Sequence, residues 1–122
     1  MRKTLLILTL GLFFLVQAGG ICWSQTTVRV SVDSAGGDSN GASNSPSISS
    51  DGRYVAFESF ATDLVAGGTN GNGHIFVRDR QTDITTIVSV HSDGTEGDQD
   101  SSSPSISDDG RYVAFESQAD NL

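Results

Sequence analysis

The side chains best suited to chemistry are carboxylates, and their densest run is Asp93-Gly94-Thr95-Glu96-Gly97-Asp98-Gln99-Asp100. Glu96, Asp98 and Asp100 stand at alternate positions and offer hard oxygen donors of the kind that hold calcium. Their order is not the D-x-[DN]-x-[DN]-G of a high-affinity calcium loop. A solvated acidic loop is the preferred reading of the run. His74 and His91 are the only histidines. They show no metal-ligand spacing, and a zinc site would have to be completed by carboxylates. There is no phosphate-cradling glycine loop with a lysine, and no carboxylate pair on an ordered framework. The serines fall in loops and at strand ends. The residues therefore point away from catalysis and towards binding or scaffolding, with no cofactor beyond weak calcium.

The elements that must position these residues come from a duplication. SPSISSDGRYVAFES at 45–59 returns as SPSISDDGRYVAFES at 103–117, with Ser50 replaced by Asp108 as the sole change. A shift of 58 residues aligns Thr27–Leu64 with Thr85–Leu122 without a gap, with 23 of 38 positions identical. A fixed period of this length marks a solenoid or propeller.

One period reads as four strands. Pro46–Ser49 is a short strand whose proline suits its start, and Asp51-Gly52 makes the tight turn after it. Tyr54–Ser59 follows, rich in β-formers, and a polar, glycine-rich loop runs from about Ala61 to Gly73. His74–Asp79 is the third strand and Ile84–Val90 the fourth, with β-branched residues at most positions. Val28–Val32 reads as an earlier strand of the fourth type. No stretch from Gln25 to Leu122 has a helical period. Arg53 is expected as an exposed neighbour of its turn, able to pair with acidic side chains.

Tyr54–Phe57 and Ile75–Val77 are apolar on both faces of a pleated strand, whereas a sheet wet on one side would alternate. Such strands need cover above and below. Neighbouring sheets of the same kind supply it, and a ring of them leaves only short edges. The fold class is therefore all-β, with four-stranded antiparallel blades. The chain holds about one and a half to two repeats of an incomplete ring, and is expected to be the N-terminal piece of a longer protein.

The order S-P-S-I-S-x-D-G-R-Y-V-A-F-x-S, then I-F-V-R-D-R, then T-T-x-V-S-V, resembles the bacterial TolB-type, WD-repeat-like propeller repeat across residues 25–122. The resemblance implies a β-propeller, commonly six-bladed, acting as an extracytoplasmic scaffold for protein or ligand binding. Relatives with similar repeats often carry G-D-T-N-G-x-x-D in the loop that reads Gly67-Gly68-Thr69-Asn70-Gly71-Asn72-Gly73-His74 here, a calcium-like arrangement. Gly68 and His74 stand where that pattern has aspartates, which leaves Asn70 as the remaining candidate ligand. Any residual calcium binding is expected to map to Glu96, Asp98 and Asp100 and not to Asn70.

Residues 1–24 read as a secretory signal peptide. Arg2 and Lys3 precede an apolar run from Leu5 to Val16, with small and polar residues up to Ser24. The run is shorter than the roughly 20 residues of a membrane span. Cleavage before Gln25 is preferred over cleavage before Gly19, and a lipoprotein reading of Cys22 is disfavoured by Ile21. The mature chain, 25–122, would then hold no cysteine and would rely on packing alone. It would keep all fifteen acidic residues against five arginines and no lysine. Such a surface repels phosphate backbones and anionic lipid. The expected product is secreted or periplasmic, without nucleic acid or a membrane span. Its partners are the remaining blades of its own propeller and other envelope or extracellular proteins. The competing functions are an accessory propeller domain of a secreted hydrolase and a calcium-dependent surface or adhesion protein.

Overall fold

The structure, a computed structural model, describes residues 26–122, so the signal-peptide expectation over 1–24 lies outside the described residues. Among the described residues there is no helix. The strands are β1 (Ser43–Ile48), β2 (Tyr54–Ser59), β3 (His74–Asp79), β4 (Ile84–Ile87), β5 (Ser101–Ile106) and β6 (Val113–Ser117). They form two antiparallel sheets, one of four strands in the order β1-β2-β3-β4 and one of two, β5-β6.

The turn that closes the first hairpin is built from its own side chains. The Ser49 hydroxyl donates to Asp51 Oδ1 at 2.6 Å, and that oxygen accepts the Arg53 amide at 3.0 Å. Ser49 Oγ in turn accepts the Tyr54 amide. Gly52 takes φ +72, a left-handed conformation that costs an L side chain steric strain. Ser107, Asp109, Arg111 and Tyr112 repeat each of these bonds 58 residues later, with Gly110 at φ +71. The same sequence therefore folds the same hairpin twice.

β1 begins three residues before the expected start. Its proline lies inside the strand, at a bulge between Asn44 and Ser47 where Ser45 takes φ 51, and β5 repeats the bulge at Ser103. A bulge accommodates a proline that a regular ladder would not. β4 stops at Ile87 instead of Val90. The Ser89 hydroxyl accepts the Ile75 amide, and the Ser89 carbonyl accepts from Gly97, so the chain leaves the ladder there. Val28–Val32 is not a strand. Val30 packs against the core and Val32 makes one isolated bridge, to Asp38.

Both faces of β2 and β3 are covered. Val55, Phe57 and Phe76 form one face, buried with Ala61 and Leu64 and flanked by Val30, Val65 and Ile87. The rings of Phe57 and Phe76 stack at 5.9 Å. Tyr54, Ala56, Glu58 and Ile75 share the other face by register. β5 lies over this side, mainly across β1 and β2 and less over β3. Ala56 and Ile75 are 0 % exposed there.

Candidate functional site

The polar cluster that ties the two repeats together centres on His74, the first residue of β3. Its side chain is fully buried. Nδ1 lies 3.0 Å from Ser89 Oγ and Nε2 lies 2.8 Å from Asn70 Oδ1. The Asn70 amide is oriented by its other bonds: Oδ1 accepts the Asn72 amide and Nδ2 donates to the Gly97 carbonyl. With Oδ1 facing the ring, Nε2 carries the proton, and Nδ1 accepts from the Ser89 hydroxyl. Both ring nitrogens are satisfied in the neutral form. Burial pushes the His74 pKa below its ordinary value, while Glu96 and Asp100 pull it upwards and lose. Glu96 Oε2 sits 3.6 Å from Nε2.

The acidic run reaches this cluster as a set of backbone clamps. Glu96 Oε2 accepts the Asn70 amide at 2.8 Å, and Asp100 Oδ1 accepts the Gly73 amide at 2.7 Å. Asp98 faces another loop and accepts the Asp120 amide. So Asn70, Glu96 and Asp100 meet around one loop, whereas Asp98 does not join them. Among the described residues no group of three or more His, Cys, Asp or Glu could hold a metal ion.

A Ser–His hydrogen bond is the beginning of a nucleophile–base pair. Here Ser89 and His74 are both 0 % exposed, and neither lines the larger cavities among the described residues. The Ser89 hydroxyl is buried and already accepts the Ile75 amide, so the pair ties the strands together as a joint. The other histidine, His91, lies on the surface of the 91–95 turn beside Asp93.

A cavity of about 550 Å³ lies between the 28–36 segment and the end of β3. Its arginines already have partners: Arg29 with Asp38, Arg78 with Asp83, and Arg80 with the Gly52 carbonyl. Arg53 is less free than its turn position suggests, since it binds Asp79 through two bonds of 3.0 and 2.7 Å. That guanidinium holds the Asp79 carboxyl well below the usual carboxylate range.

Sequence reasoning passed over the His74 hub. Its partners come from three separate segments, and no spacing rule connects 70, 74, 89 and 96. The signal available was position: a histidine opening an apolar strand, at a site that the strand pattern buries.

No family model, curated protein or solved structure matches the chain.

Proposed function

We propose that the chain is part of an extracytoplasmic β-propeller that serves as a binding scaffold and carries no catalytic centre of its own. The observation that carries this reading is the repeat joint. Two hairpins of almost identical sequence stack face to face, the outer strand of the second upon the sheet of the first. Repeating that step is how a propeller or solenoid grows. The resemblance to the TolB-type repeat and the signal-like residues 1–24 supply the ring and the compartment. The acidic balance favours soluble protein or small-ligand partners over phosphate backbones and anionic lipid.

The test is cellular fractionation of a bacterium producing the chain, with photo-crosslinkers at the exposed positions Gly71 and Asp93. The chain is expected outside the cytoplasm, with an amino terminus at Gln25 and the same cross-linked partners from both positions. A cytosolic chain that retains Met1 and cross-links to nothing would overturn the proposal.

A further inference from the structure

The two copies of the repeat diverge mainly in one loop. From 43 to 59 only two of seventeen positions differ from their twins 58 residues later, whereas from 33 to 42 eight of ten differ. This loop, 33–42 in the first copy and 91–100 in the second, makes two kinds of bond, and the replacements sort between them.

Bonds inside a repeat survive the replacements. The Asn40 amide donates to the Asp63 carboxylate, and Asn40 Oδ1 accepts the Thr62 amide. In the second copy Asn and Asp have exchanged places. The Asp98 amide donates to Asn121 Oδ1, and Asp98 Oδ1 accepts the Asp120 amide. Each replacement keeps an oxygen where an amide needs one.

Bonds between the repeats use residues that only the second copy has. Glu96 Oε2 and Asp100 Oδ1 accept the Asn70 and Gly73 amides of the preceding repeat. Their twins are Asp38 and Ala42. Asp38 is one methylene shorter and is held by Arg29, whose own twin is Ile87, packed against the core. Ala42 has no side-chain acceptor at all. Gly73 is buried, so a repeat with alanine in that place leaves a buried N–H without a partner, at the full desolvation cost of the group.

We propose that Glu96 and Asp100 determine which repeat seats on the 70–73 loop. The loop accepts a repeat with glutamate and aspartate at these two positions and rejects one with the aspartate and alanine of the first copy. The inference rests on the stacked-repeat reading above. Misassembly is the characteristic failure of repeat proteins, and the copied strands and turns offer nothing to tell one hairpin from the other. The diverged loop supplies the distinction.

Native-state hydrogen exchange on the full chain tests this. It is read at the Ser50, Ser101 and Ile106 amides, whose bonds cross the joint and whose acceptors are neither carboxylate. Glu96→Asp combined with Asp100→Ala gives the second copy the first copy's residues. All three amides are expected to exchange at least about tenfold faster after the loss of two charge-assisted bonds, while the amides between β2 and β3 keep their protection. Asp98→Asn also installs a first-copy residue and removes a charge from the same loop, but it keeps an oxygen for the Asp120 amide. It is expected to leave the three amides unchanged. If the double variant loses its β2–β3 protection as well, Glu96→Asp and Asp100→Ala are compared singly with Asp98→Asn. Acceleration by Asp98→Asn as great as by the double variant would overturn the proposal. Protection of the three amides in both the unaltered chain and the double variant would also overturn it, and would leave the stacked repeats standing. Free-peptide exchange of all three in the unaltered chain would remove the stacking, and the proposal with it.

Discussion

His74 is a hydrogen-bond hub in its neutral form, and burial sets the sign of its titration. A folded-state pKa below the unfolded value of about 6.5 means that the unfolded chain binds more protons in that range. The stability His74 confers is therefore complete above about pH 6.5 and is lost as pH falls from there through the folded pKa. Denaturant melts between pH 7.5 and 5 are expected to show falling stability, and His74→Gln should flatten that slope. Rising stability on acidification would contradict the account. The lowered aspartates Asp33, Asp51, Asp79, Asp93 and Asp109 lose their contribution only below about pH 4, so the two windows separate. Asn70→Ala leaves the His74 Nε2–H and the Gly97 carbonyl without partners. That is expected to cost about 1–3 kcal/mol, read by chemical denaturation. Calcium is expected to matter little, since Glu96 and Asp100 already accept backbone amides. The thermal midpoint should stay the same in millimolar calcium and in EDTA, and a rise of several degrees with calcium would restore a metal role to this loop.

At the level of the elements, the repeat is an internal control, because identical residues meet different neighbours. Ile106→Ala removes a side chain buried in the joint and is expected to cost about 2–3 kcal/mol, whereas Ile48→Ala in dilute solution should fall within about 0.5 kcal/mol. Equal effects at the two sites would mean that β5 does not lie on the first sheet. The turn glycines make a second pair. Both have positive φ, so alanine at either strains the backbone by about 1–2 kcal/mol. Gly110→Ala also collides with the Tyr54 ring, and is expected to be worse than Gly52→Ala by at least about 1 kcal/mol. The Ser–Asp–Gly–Arg turns and the strands Tyr54–Ser59 and His74–Asp79 were legible in the sequence because their determinants are local. The early stop of β4 was not legible, because Ser89 is drawn out of the ladder by His74 and Ile75. Val28–Val32 has strand composition, and among the described residues no strand pairs with it as β3 pairs with β4.

On the scale of the whole molecule, the paired apolar faces of β2 and β3 announced that cover was needed on both sides, and the period announced what would supply it. The polar joint could not be foreseen, because its residues become neighbours only after the sheets stack. Composition carried the rest: among the described residues, an acidic body without cysteine, held by packing and hydrogen bonds. The central claim is that the second hairpin is docked on the first sheet, and three amides report it directly. Ser50 N donates to the Asp108 carbonyl, Ser101 N to the Gly73 carbonyl and Ile106 N to Ser47 Oγ, so all three bonds cross between the repeats. Native-state hydrogen exchange resolved at these amides is the measurement. The account predicts that they exchange slowly and share one opening free energy with the β2–β3 core. Exchange of all three at free-peptide rates, while the amides within the β5–β6 hairpin stay protected, would show two undocked hairpins and contradict it.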